Sequence, residues 1–163
     1  MMVGFRPVLH DDIPDLITLA NEIWNEYFSS ILSQEQVDYI IATHHTAEFL
    51  DDRIHNRGRR YFFIVDGPTT LGYYSMSPRK DALVVKIYIK KEFRGKGYGK
   101  AALKRIYKIC KEEGYSKIYL AVEKKNTAAL EAFKGRGFTI DHSQTTDLGN
   151  GHTMDVYIMV KPL

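Results

Sequence analysis

A chain of 163 residues with a net charge of only +3, 44% hydrophobic and 26% charged, is large enough to bury a core as one domain. It carries no apolar run of membrane-spanning length, no long apolar stretch of signal-peptide type between Met1 and Pro7, and too weak a charge excess for a nucleic-acid binder. Its single cysteine, Cys110, has no internal disulfide partner and suits a reducing compartment, so residues 1–163 are expected to form one cytoplasmic domain, with no membrane and no nucleic acid among its partners.

Val3 to Val8 reads as a first strand. Asp11 or Asp12 then caps a helix with Pro14 in its first turn, where a missing N–H costs little. Ile13, Leu16, Ile17, Ala20, Ile23, Trp24 and Tyr27 follow at helical spacing, and the aromatic end Trp24-Tyr27-Phe28 is richer in rings than packing requires. Ser33 with Gln36 forms a capping box for a second helix. A third helical piece runs from Thr46 to Ile54 and ends near Asn56-Arg57-Gly58. His44 and His45 are adjacent and face different sides of a helix, and no histidine spacing points to a metal site.

Three strands are expected next. Tyr61 to Val65 is nearly all apolar and reads as central. Thr70 to Met76 follows the turn Asp66-Gly67-Pro68, and Ala82 to Ile89 follows a turn over Ser77 to Asp81. A helix from Lys100 to Glu113 stops at Gly114, with Cys110 on its apolar face. Lys117 to Val122 is a strand. Asn126 caps a helix over Thr127 to Lys134, and Phe138 to Thr145 with Thr153 to Val160 form a final hairpin. Because a parallel neighbour needs a crossover connection, Lys117 to Val122 should lie parallel to Ala82 to Ile89.

Between the strand ending at Ile89 and the helix lies Arg94-Gly95-Lys96-Gly97-Tyr98-Gly99-Lys100. Glycines allow close approach of a ligand to the backbone. The first amides of the following helix are unpaired and carry the positive end of its dipole, which makes a site for phosphate. Arg94 and Lys96 add cationic charge. The spacing fails as a Walker loop, because Arg94 stands where its first glycine belongs and Ala101 where Ser or Thr belongs. It also fails as a dinucleotide fingerprint, whose third glycine would fall on Lys100.

Arg94, Gly97 and Gly99, with Gly95 between them, resemble the pyrophosphate loop of the GNAT superfamily of N-acetyltransferases. Two further stretches are similar to that family: the strand end Ile87-Tyr88-Ile89, and Asn126 to Phe138 with Asn126, Gly137 and Phe138 in place. The resemblance implies an α/β fold with a mixed, mostly antiparallel sheet of about six to seven strands, helices on both faces, and one parallel pair after the glycine loop. It also implies acetyl-CoA as cosubstrate, with no metal, held by Ile87, Tyr88, Ile89, the loop Arg94, Gly95, Lys96, Gly97, Tyr98, Gly99 and Lys100, and by Asn126 and Phe133. Lys104 is a candidate for the 3′-phosphate. Direct transfer to a primary amine of a small molecule or protein is the implied reaction, and a non-catalytic acyl-CoA-binding or regulatory domain is the alternative. Trp24, Tyr27 and Tyr74 are candidates for the acceptor pocket, and Glu22 and Glu26 for a base. Phe133 occupies the position that commonly holds the proton-donating tyrosine, which leaves the thiolate without its usual acid. Final hairpins in this fold often pair between subunits, which makes a homodimer one of the partners implied.

Overall fold

In the computed structural model, which describes residues 2–163, seven strands form one sheet in the order β1-β2-β3-β4-β5-β7-β6. They are β1 Val3–Pro7, β2 Arg60–Asp66, β3 Thr69–Arg79, β4 Ala82–Ile89, β5 Lys117–Glu123, β6 Thr139–Gly149 and β7 His152–Pro162. The helices are α1 Ile13–Tyr27, α2 Gln34–His44, α3 Ala47–Arg57, α4 Tyr98–Glu113 and α5 Thr127–Lys134. Among the described residues only β4 and β5 are parallel; every other neighbouring pair is antiparallel. The mixed sheet and its one parallel pair are as the sequence implies.

Local chemistry accounts for most boundaries. Ser33 accepts from the Gln36 amide and Gln36 answers through Oε1 to the Ser33 amide, so the capping box of α2 is complete. Thr46 caps α3, which Gly58 ends in the left-handed region. At α1 the expected aspartate cap is absent. Asp12 instead accepts from the Leu9 amide and pairs with Arg6, closing a short turn ahead of the helix. The turn expected over Ser77 to Asp81 shrinks to its last residues, because β3 runs on to Arg79. Pro78 is tolerated there because β2 pairs no further than Met76, so the strand has an open side. Tyr61 to Val65 lies one place in from the sheet edge rather than at its centre, covered on both faces.

The two faces of the sheet are covered differently. On one, α4 and α5 bury Leu103, Ile106, Cys110 and Leu130 against Ile64, Leu83, Val85, Ile118 and Leu120. On the other, α1 and α3 bury Leu16, Ile23 and Leu50 against Tyr61, Phe63 and Tyr73. A third cluster, Trp24, Phe28, Leu32, Val37 and Ile40, reaches Leu148 and Met154 of the final hairpin. The hairpin tip is tied to α2, since Gln36 donates to the Thr153 carbonyl and Tyr39 stacks beside His152. That second face is otherwise left open over β5 and β7.

Gly72 fixes how closely β3 and β4 approach at the place where the site will lie. A Cβ there would overlap the Tyr88 carbonyl oxygen and crowd the Ile89 Cα, both backbone atoms that cannot step aside. Overpacking of this kind costs about 1–3 kcal/mol. Gly72→Ala should therefore lower the midpoint of thermal unfolding by several degrees, whereas Gly135→Ala, whose Cβ would meet only ordinary contacts at 3.5 Å, should not. Equal melting of the two variants would remove the close contact as a constraint.

Candidate active-site cleft

β4 and β5 pair over only four residues, Ala82–Lys117 to Val85–Leu120, and then part. Beyond that point the backbone groups of β4 that face the gap have no strand partner. The parting opens a cavity of about 440 Å³ through the sheet. Its walls are Ile87, Tyr88 and Ile89 on one side, Leu120, Val122 and Glu123 on the other, and α1 and α5 at the ends. The glycine loop closes one mouth.

The loop presents unpaired amides of the kind to which anions bind. Gly95 and Gly97 lie in the left-handed region, φ 73° and 93°. The first bond inside α4 runs from the Ala101 amide to the Gly97 carbonyl, which leaves the amides of Tyr98, Gly99 and Lys100 without helical partners. The side chain of Tyr98 turns away and donates to Asp66 at 2.6 Å, tying the loop to the end of β2. Tyr98 therefore offers the loop its amide while its ring serves as an anchor. Lys96, Lys100 and Lys104 are exposed.

Arg94 does not supply free charge to this loop. Its guanidinium holds Glu26 in two bonds of 2.9 and 2.6 Å, donates through Nε to the Ile89 carbonyl, and lies 4.6 Å from the ring centre of Tyr27. It clamps α1 to the end of β4. The same bonds hold the Glu26 carboxyl below its ordinary value, which makes Glu26 a poor base, and Glu22 pairs with Lys90. The cation beside the loop is Arg136, which lines the cavity and stands next to Gly99. In the sequence it lies two residues past the expected helix Thr127 to Lys134, where nothing marks it as a ligand.

Of the acceptor-pocket candidates, Tyr27 lines the cavity, and Trp24 packs behind it on Phe28, with ring centres 4.1 Å apart. Tyr74 does not belong there. Alternation along β3 puts Tyr73 on the α1 face and Tyr74 on the α4 face, where it is fully buried against Phe62 and its hydroxyl has no partner. Burial pushes its pKa up to about 12.

Asn126 and Phe133 both line the cavity. The Asn126 Oδ1 accepts from the Ala129 amide as the cap of α5, so its NH₂ is the group that donates to the Tyr27 hydroxyl. Phe133 packs edge-on against Phe138. Glu123 is 8% exposed, lines the cavity and accepts from the Lys125 amide; nothing in its sequence neighbourhood marked it. Away from the cleft, His10, Asp51 and His55 bring three ligand-capable atoms within 4.8 Å on the surface. The sequence hid that group because His10 comes from another element.

A family model described as the acetyltransferase (GNAT) family matches residues 17–138. Over 152 residues, 90% of this chain and 94% of the relative, the chain is 24% identical to a spermidine N(1)-acetyltransferase of Thermoplasma acidophilum. It is 31% identical over 77 residues, 44% of this chain and 45% of the relative, to a thialysine N-epsilon-acetyltransferase of Bos taurus. Its fold matches that of a Thermoplasma acidophilum PaiA N-acetyltransferase in complex with coenzyme A, with a TM-score of 0.83 at 23% identity and full coverage of both chains.

Gly99 gives the cleaner test of the loop. Gly97 sits at φ 93° and would be strained by any side chain, whereas a Cβ at Gly99 meets only Ile89 Cδ1 at 3.5 Å and Arg136 Nη1 at 3.8 Å. Gly99→Val should stay folded and lose at least tenfold in coenzyme A affinity by calorimetric titration, because the side chain fills the space a phosphate would enter. Arg136→Gln should weaken binding and flatten its salt dependence. Unchanged affinity in folded Gly99→Val would defeat the assignment.

Proposed function

The chain belongs to the acetyltransferase (GNAT) family, and we propose that its cleft passes an acetyl group from acetyl-CoA to the primary amine of a small molecule. Acetyl-CoA-dependent N-acetyl transfer is the chemistry the family membership carries. The small acceptor is supported by the named substrate of the Thermoplasma acidophilum relative. The observation that carries the reading is a single cavity where the parted strands, the free amides of the glycine loop and the Tyr27–Asn126 pair meet. A lone, buried Cys110 suits a reducing, cytoplasmic setting.

In this reading the glycine-loop amides and Arg136 hold the pyrophosphate, and the unpaired edge of β4 bonds the pantetheine arm as an added strand would. The thioester then lies between Tyr88 and Glu123. The amine attacks the carbonyl carbon as a neutral base, so an arriving ammonium first gives up a proton. Glu123 takes it, directly or through water. Once the C–N bond has formed the cationic nitrogen releases its second proton to water; the tetrahedral intermediate collapses by breaking the C–S bond, and the thiolate gains one proton, which water afterwards restores to the donor.

With phenylalanine at 133, that proton comes from Tyr27. The Tyr27 oxygen accepts from Asn126, whose orientation is set by its cap, so the hydroxyl's own hydrogen is left free. Arg94 over the ring fixes its place. The cleft thus keeps a phenol and moves it from α5 to the facing wall, α1.

Release of free thiol from acetyl-CoA in the presence of a panel of small primary amines tests the reading. A wild type inert toward all of them would overturn it. A positioned acid typically contributes 10²–10⁴-fold, so Tyr27→Phe should lower kcat on the order of a hundredfold, with little change in KM for acetyl-CoA. Phe133→Tyr alone should leave the rate within about tenfold, and added to Tyr27→Phe it should restore part of the loss. A Tyr27→Phe rate equal to wild type would mean that the thiolate leaves unassisted.

A further inference from the structure

Lys86 lines the cleft and two arginines stand near it, none of the three in an ion pair among the described residues. Lys86 stands in the middle of β4, on the same sheet face as Tyr88, lines the cavity and is exposed to it. Beside it on that face β5 and β7 present Tyr119, Ala121 and Ile158, all at least partly open to solvent. Arg59 reaches into the same space from the start of β2. Its Nε donates to Ser77 at 2.9 Å and its Nη1 to the Tyr61 hydroxyl at 3.1 Å, both neutral groups. Arg53 of α3 lies over Phe49 at 4.4 Å, its Nε buried and without a partner. His44 covers the other side of Phe49 at 4.7 Å.

None of Lys86, Arg53 and Arg59 is in an ion pair among the described residues. The one carboxylate whose charge reaches Arg53 is Asp52, and it is bonded to Arg57 and Asn56. The three cations therefore act on one another. The cavity walls around it strip water from the amine although its side chain opens onto the cavity, and with Arg59 and Arg53 beside it this pushes the Lys86 pKa down to about 8. His44 is lowered by its own burial and by the charges of Lys86, Arg53 and Arg59. Unpaired cations crowded at the edge of a cavity are destabilising unless an anion joins them. The surface salt pairs elsewhere on the chain show that carboxylates are not scarce.

Lys86 and the carboxylate lie along one groove. On β4, Lys86 comes two residues, about 7 Å, before Tyr88. Glu123 lines the cavity from β5, three residues past Leu120, the last paired position. A groove with a carboxylate at one end and cations at the other fits a molecule with the opposite polarity.

We propose that the acceptor is an amine that also carries an anionic group, a carboxylate or a phosphate, seated on Lys86, Arg53 and Arg59. A polycation such as spermidine fits this end of the groove poorly. The inference rests on the amine-acetylating reading above and specifies its substrate class.

Matched amines separate the two readings. Glycylglycine is compared with glycylglycinamide for the carboxylate arm, phosphoethanolamine with ethanolamine for the phosphate arm, and spermidine is run alongside. A charge-assisted hydrogen bond contributes about 1.5–3 kcal/mol, so kcat/KM for the anionic member of at least one pair should exceed its neutral partner by about tenfold or more. The arm in which this occurs names the anion. In Lys86→Met, and separately in Arg53→Met, that ratio should fall toward one, and because it is a ratio any general loss of activity cancels. Ratios near one in both arms of the wild type, a ratio unmoved in both variants, or spermidine as the best substrate would each overturn the inference while leaving N-acetyl transfer intact. Thiol release with no amine of the set would take down the functional reading itself.

Discussion

The arrangement of the cleft depends on the point where β4 leaves β5. Four paired residues hold the two strands together, and then the ladder stops. Backbone N–H and C=O groups left open in this way are normally costly when shielded from water. Here they face a cavity, so they are available for a bound chain to pair with. The parting also separates the two helical layers, with α4 and α5 on one side of the cavity and α1 on the other. The tight Gly72 contact holds β4 against β3 on its other side, so the gap opens toward β5 alone.

Charge is distributed along this axis by pairing rather than by composition. Arg94 and Lys90 are spent on Glu26 and Glu22, fastening α1 to the end of β4. Arg136 and the helix amides remain at one mouth. Lys86 remains farther along the cleft, with Arg53 and Arg59 near it. The net charge of +3 is too small to announce either group, and only the pattern of who is paired with whom brings them out.

Much of the fold was legible because its signals are local. The capping box at Ser33-Gln36, the stop at Gly114, the cap at Asn126 and the bounds of β4 depend on neighbours within a few residues, and the structure has them where the sequence puts them. The glycine loop was legible for the same reason. What was not legible depends on contacts across the sheet. Arg94 reads as a phosphate-facing cation until Glu26, 68 residues away, takes its guanidinium. Tyr74 reads as a pocket residue until its place in the β3 alternation turns it to the other face. Asp12 reads as a side-chain cap until Arg6 and the Leu9 amide claim it. Lys86 carries no mark in the sequence, because the lack of a partner cannot be read from a sequence at all.

Asn126 shows what it means for architecture and chemistry to share one side chain. Its oxygen caps the start of a helix and its nitrogen holds a phenol on the facing wall. The helix cap fixes which end of the amide is which, so the amide cannot flip without uncapping α5. Serine and threonine could serve the helix but are shorter by the group that spans the cavity. Aspartate would serve the helix well and would present an oxygen to the phenol, turning its hydrogen back toward α5. Of the residues favoured at this capping position, asparagine alone makes both bonds, so no other cap keeps the two walls joined in this way.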